Sequence, residues 1–156
     1  ISAIARGARV LGDATLSARA SAAATFVWER LRDPSTGTLH RRWRDGHLAA
    51  AGQLDDHAYV ALGLLDLYAS THDVTWFERA IVLAGTMVER FWDERHGAFF
   101  ETPGDDPTIK ARLKDGFDGA EMAGSSIALL VLATLGRLAG RGDWLEKCER
   151  TAACWM

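Results

Sequence analysis

Long hydrophobic runs are missing from this 156-residue chain. No stretch reaches the roughly 18 consecutive apolar residues of a membrane-spanning helix, so no membrane span is expected. Positive charge is short as well. Eighteen Lys and Arg face twenty-one Asp and Glu, a net charge of -3, which lacks the basic footprint of a nucleic-acid binder. Cysteine is scarce. Cys148 and Cys154 lie six apart, which is neither Cys-x-x-Cys nor a zinc spacing. That separation puts them on different helix faces and argues against a local disulfide. They read as buried thiols of a cytoplasmic protein. The histidines (His40, His47, His57, His72, His96) show no paired ligand spacing, so neither a metal nor another cofactor is expected. A basic, apolar leader ending in small residues is also missing. The chain opens at Ile1 inside an apolar pattern and closes on Ala153-Cys154-Trp155-Met156 without a helix stop signal. The expectation is a piece of a longer protein.

What is present is a soluble globular balance, 48% apolar and 25% charged, in a chain of single-domain length. Apolar spacing predicts helices over about residues 1–11, 14–32, 54–70, 74–92 and 121–138, and a sixth from Trp144. In the second, Leu16, Ala20, Ala23, Val27 and Leu31 form the apolar stripe. In the fourth, Trp76, Ala80, Leu83, Met87 and Phe91 do so. The third and fifth are apolar nearly all round, which is the pattern of a buried helix. Asp13 is expected as an N-cap. Turns are expected at 33–37, 44–46 and 93–97, and short strands at Thr38–Trp43 and Ala98–Thr102.

The helices therefore alternate between buried and amphipathic, and the chain repeats itself. Trp76-Phe77-Glu78-Arg79-Ala80 resembles Trp144-Leu145-Glu146-Lys147-Cys148, and each comes after a break containing Asp73 or Asp143. Trp28-Glu29-Arg30-Leu31-Arg32-Asp33 with Gly37 resembles Glu89-Arg90-Phe91-Trp92-Asp93 with Gly97. Breaks after buried helices are short; connections back to buried helices are long, about twenty and twenty-seven residues, and long connections are usually functional. The fold class expected is all-α, an (α/α) toroid with about three of six helical hairpins in residues 1–156. A linear solenoid is the competing arrangement. A half ring would leave apolar faces exposed and prone to associate.

Two motifs open the buried helices. One is Gln53-Leu54-Asp55-Asp56-His57-Ala58-Tyr59. The other is Lys114-Asp115 with Asp118-Gly119-Ala120-Glu121 and Gly124-Ser125-Ser126. With Phe91-Trp92-Asp93, Gly97 and Phe99-Phe100-Glu101-Thr102, they resemble the C-terminal six-hairpin domain of the thioredoxin-domain proteins of the spermatogenesis-associated type, across essentially the whole chain. This sequence departs from that pattern at His57 (tyrosine in the family), Met122 (proline), Ala123 (serine) and Ser125 (asparagine). The resemblance implies two partners in a longer chain: the rest of the toroid and a thioredoxin-like domain. It also implies similarity to six-hairpin glycosidases and N-acylglucosamine 2-epimerases, hence a carbohydrate or other hydroxyl-rich small molecule as ligand.

The residues themselves leave several roles open. Asp55, Asp56, Asp118 and Glu121 are the candidate catalytic carboxylates, since glycoside hydrolysis needs an acid and a base or nucleophile. Asp118 and Glu121, three apart, are expected on one side of a helical turn. The same acids also suit N-capping and the helix dipole. His57, Tyr59, Lys114, Asp115, Phe117, Ser125 and Ser126 are the candidate binding residues. His57 is either a proton-transfer base of an epimerase or a hydrogen-bonded core histidine. Lys114 neutralises the acids, and Phe117 stacks on a sugar face. Asp55-Asp56-His57-Ala58-Tyr59 resembles an Asp-Asp-x-x-Asp magnesium motif but has Tyr59 where the last acid belongs. A non-catalytic binding or scaffold domain is the alternative to an enzyme. The enzyme reading expects one of Asp55 and Asp56 to share a pocket with one of Asp118 and Glu121.

Overall fold

A computed structural model describes residues 1–155. The chain divides into two compact units, one formed by Ile1–Gly52 with Val60–Leu83, the other by Gln53–Tyr59 with the chain from Ala84 on. Six helices carry the architecture among the described residues: α1 (Ser2–Leu11), α2 (Ala14–Phe26), α3 (Leu54–Thr71), α4 (Val74–Phe91), α5 (Gly124–Leu138) and α6 (Gly142–Ala153). One antiparallel hairpin, β1 (His40–Arg44) with β2 (His47–Ala51), is the sole sheet among them. The chain is thus mostly helical rather than wholly so. No helix among the described residues is long and apolar enough to cross a membrane.

In the first unit, Gly12 ends α1 at φ 65, a left-handed turn that suits a residue without Cβ. Asp13 then caps α2 as expected, its side chain accepting from the Thr15 and Leu16 N–H groups. Asp73 does the same for Thr75 ahead of α4. The α2 stripe differs from expectation. Ala20 and Ala24 are buried and Ala23 is exposed. The helix widens into a π-turn at Val27–Leu31, which shifts the register of its last residues. Along α3, Asp66 receives the Ser2 hydroxyl and the Arg6 guanidinium at 2.8 Å, tying it to α1. The α4 stripe is as expected, with Trp76, Ala80, Leu83, Met87 and Phe91 all buried.

The Asp45-Gly46 pair closes the hairpin with φ of 50 and 83. Both angles are positive, the condition of a type I′ turn. The expected strand at Thr38–Trp43 is β1, displaced by one or two residues. Its partner β2 was not anticipated, because His47-Leu48-Ala49-Ala50-Ala51 lacks β-branched and aromatic residues. The expected strand at Ala98–Thr102 does not form. Only a single bridge joins Trp92 to Phe99 there.

Two turns repeat at an offset of sixty residues. Asp33 donates its N–H to the Thr38 carbonyl and accepts from Gly37 N–H; Asp93 donates to Ala98 and accepts from Gly97. The Asp33 side chain takes the Ser35 N–H, and the Asp93 side chain takes the Arg95 N–H. Bridges Arg32–Leu39 and Trp92–Phe99 close the two turns in the same place. The later helices add a second match. Arg79 of α4 lies over the Trp28 ring at 5.0 Å in the first unit, and Lys147 of α6 lies over Trp92 at 4.7 Å in the second. The third break departs from the pattern: Asp143 pairs with Arg141 instead of capping.

In the second unit, α5 buries Ile127, Ala128, Val131, Leu132 and Leu135. Trp144 of α6 is also buried, and Gly136 leaves room for Leu145, whose side chain would lie 2.8 Å from an added Cβ. Both cysteines are free; Cys148 is half-buried and Cys154 exposed, so the expected pair of buried thiols is not formed. Gly85, inside α4, has open space where a side chain would point. Gly85→Ala should therefore raise unfolding stability by about 0.5–1 kcal/mol, read from the denaturant midpoint at unchanged slope.

Candidate functional site

The starts of α3 and α5 meet in the second unit at one residue. A Cβ on Gly124 would lie 3.1 Å from the Asp55 N, 3.2 Å from its Cα and 3.3 Å from Leu54 Cγ. Two helix N-termini thus approach closely, and a Cβ between them would push the neighbouring backbone aside by a few tenths of an ångström. The connection that precedes α5 is pinned along its length. Glu101 takes the Leu54 N–H on its carbonyl and donates its own N–H to Leu113. Arg112 donates to the Thr102 and Arg90 carbonyls at 2.9 Å each. Tyr59 of α3 reaches across to the Met122 carbonyl at 2.9 Å.

These contacts leave a cleft of about 240 Å³. Asp55, Tyr59, Glu101, Asp115, Phe117, Glu121, Met122 and Ser125 line it, together with Gln53, Leu54, Ala123 and Gly124. Four acidic residues and, among the described residues, no basic one line it. Phe117 is 79% exposed. Ser125 is only 3% exposed, and its hydroxyl has no hydrogen-bond partner among the described residues. Burying an unpaired hydroxyl costs about 1–3 kcal/mol.

The candidate residues fall into two sets. Asp55, Tyr59, Asp115, Phe117, Glu121 and Ser125 share the cleft. The other five face elsewhere. Asp56 turns back to the Gln53 N–H at 2.8 Å, in the manner of a capping box. Asp118 accepts the Ala123 N–H at 2.9 Å. That bond, with one from the Ser126 side chain, holds its carboxyl below the ordinary carboxylate range. Lys114 pairs with Asp93 at 2.8 Å and donates to the Gly97 carbonyl, so it braces the repeated turn instead of neutralising the cleft. Lys114 is the main reason that the Asp93 carboxyl lies far below its usual range, with the His96 and Arg95 N–H groups adding to it. Asp118 and Glu121 do not share a helical turn. The Gly119 N–H bonds to the Glu121 carbonyl, and α5 begins only at Gly124, not at 121.

Sequence reasoning missed Gln53 and Glu101 as site residues. Glu101 lies more than forty residues from Asp55 in a run that reads as a strand, and its backbone bonds to Leu54 and Leu113 hold it at the cleft. Among the described residues, no group of three or more His, Cys, Asp or Glu side chains is placed to hold a metal ion.

His57 is fully buried. Its Nδ1 donates to the Gln53 carbonyl at 2.8 Å, and its ring packs 5.2 Å from Phe91. Burial lowers its pKa from the ordinary 6.5 and outweighs the opposing pull of the Gln53 carbonyl and the Asp56 carboxylate. Linkage gives the direction of the effect. The unfolded chain takes up a proton at His57 first, so the stability tied to its neutral form is complete above pH 6.5 and is lost as pH falls below it. His57→Phe should therefore flatten the loss of thermal stability between about pH 7 and pH 5 relative to the unmodified protein. At this site Gly124→Ala should destabilise by about 1–3 kcal/mol by forcing the two helix starts apart, measured by denaturant unfolding.

No family model matches the chain. Curated relatives do. The chain is 35% identical over 147 residues to spermatogenesis-associated protein 20 of Mus musculus, a match that takes in 88% of this chain and 19% of that protein. For the Homo sapiens protein of the same name the identity is 33% over 148 residues, covering 89% of this chain and 19% of the relative. An uncharacterized protein of Caenorhabditis elegans is 27% identical over 143 residues, 85% of this chain and 19% of that one. The chain is thus homologous along most of its length to about a fifth of spermatogenesis-associated protein 20.

Proposed function

We propose that this chain is part of an (α/α) toroid whose cleft binds a hydroxyl-rich small molecule, a carbohydrate in the first instance. One observation carries the reading: Asp55, in the first turn of α3, and Glu121, in the connection just before α5, line the same cleft. Carboxylates accept paired hydrogen bonds from neighbouring hydroxyls. The exposed Phe117 ring offers an apolar face beside them. If the site is catalytic, Asp55 and Glu121 are its acid and its base or nucleophile, the pair that glycoside chemistry requires. The remaining hairpins of the ring and a thioredoxin-like domain belong to the longer chain in this proposal. The match to only about a fifth of the relatives' length supports that extent.

A second reading, a binding or scaffold domain without catalysis, draws support from Asp56 and Asp118. Both are spent on backbone N–H groups and neither lines the cleft, while Asp55, which does, also accepts the Asp56 N–H. An epimerase using His57 has against it the complete burial of that ring.

The test is a titration of the full-length protein with neutral mono- and oligosaccharides, paired with an assay for released sugar. Binding of at least one neutral sugar is expected, weakened about tenfold or more in Asp55→Asn and Glu121→Gln, as for loss of hydrogen bonds to charged groups. Hydrolysis lost in those variants would establish the catalytic form. Unchanged binding in both variants would remove the cleft as the site.

A further inference from the structure

The hairpin in the first unit carries the opposite charge to the rest of the chain. We infer that one face of β1–β2 docks an extended acidic segment of a partner protein, with its acids at alternate positions.

Residues 40–51 hold three Arg, two His and a single acid, Asp45, in a chain whose net charge is -3. The strand register fixes where these side chains stand. Trp43 pairs with Leu48, and its ring packs edge-on against Phe26 at 5.8 Å with Arg30 over it at 5.7 Å. Side chains alternate along a strand, so the flanking pairs Arg42–Ala49 and Arg44–His47 project from the opposite face. Arg42, Arg44 and His47 are all exposed. Arg42 has no ion pair among the described residues. Arg44 has Asp45 at 3.5 Å, with the two side chains 84% and 87% exposed. A pair so open to water is screened and holds neither partner in place. Asp33, at the foot of the hairpin, is spent on the N–H and hydroxyl of Ser35. The positive charge of this face is therefore directed at solvent.

Spacing and surroundings choose the occupant. Arg42 and Arg44 are two residues apart on one strand, an interval of about 6.5–7 Å. An extended peptide with an acid at every second residue repeats that interval with the opposite sign. A nucleic-acid strand asks for an aromatic ring to stack on and for a wider basic field, whereas Trp43 is turned to the other face and the whole chain is acidic. A lipid surface takes apolar side chains, and this face offers only alanine beside its basic residues. Ala50, at φ 56, interrupts the extended run of β2, so the outer edge gives no continuous ladder for an added strand. Docking therefore uses the face of the hairpin through its side chains.

The experiment titrates the full-length protein, at low and at high salt, with a labelled peptide of alternating Glu and Thr. The comparison probes are a peptide of the same composition with its Glu residues in one block, a thymidine oligonucleotide and vesicles of anionic lipid. The alternating peptide is expected to bind about tenfold or more tightly than any of the three, with the affinity falling at high salt. Arg42→Glu and Arg44→Glu should each weaken it about tenfold, and Arg42→Gln should act in the same direction by less. Arg9→Glu, an equal change of charge on the exposed side of α1, should leave it unchanged, and melting curves report whether each variant is folded. No binding of the alternating peptide, or binding that survives both reversals, would overturn the proposal. Equal binding of the block peptide would overturn it as well, as would tighter binding of the oligonucleotide or the vesicles.

Discussion

The second unit turns on a contact that contains no side chain from one of its partners. Gly124 lets the first turn of α5 rest on the backbone of Asp55. Each helix start brings several N–H groups without helical partners, together with partial positive charge. Placing two such ends together concentrates both. Asp56 and Asp118 answer that by taking backbone N–H groups, at Gln53 and Ala123. Asp55, beside Asp56, and Glu121, three residues after Asp118, line the hollow by the helix starts and the pinned connection; Asp55 also accepts the Asp56 N–H. Three of the four similar carboxylates, Asp55, Asp56 and Asp118, thus accept backbone N–H groups near this contact.

The helical pattern was legible because it rests on periodicity, which the chain states many times over. The four-residue spacing from Trp76 to Ala80 and from Met87 to Phe91, and the uncharged run after Ser126, needed only the helical period. The turns were legible because Asp and Gly recur at fixed offsets around Asp33 and Asp93. The hairpin partner β2 was hidden, since alanines carry no strand preference and the Asp45-Gly46 turn alone sets the pairing.

The site was harder to read for a different reason. Asp118 and Glu121 have helical spacing, but the glycine between them and the Asp118–Ala123 bond keep the backbone in a tight non-helical turn. Spacing rules assume a helix is already present. Glu101 escaped notice because its position is held by backbone bonds to residues distant in sequence, Leu54 and Leu113. Three residues beside these find distinct places: His57 is sealed against Phe91, and Met122 lends its carbonyl to Tyr59. Ser125 keeps an unpartnered hydroxyl among the described residues.

The repeated turns at Asp33 and Asp93 have a consequence for how such a chain can change over time. Each turn is closed by its own short-range bonds, to which Lys114 of the second connection adds its pairing with Asp93. Twenty residues separate Asp33 from α3, and thirty separate Asp93 from α5. The first connection is spent on a plain hairpin; the second, on a cleft wall. Lengthening a connection costs little, growing only with the logarithm of its size. A frame that anchors its loops this way can exchange or extend one insert without re-fitting the helices, so new specificity can be grafted at one opening while the others stay inert.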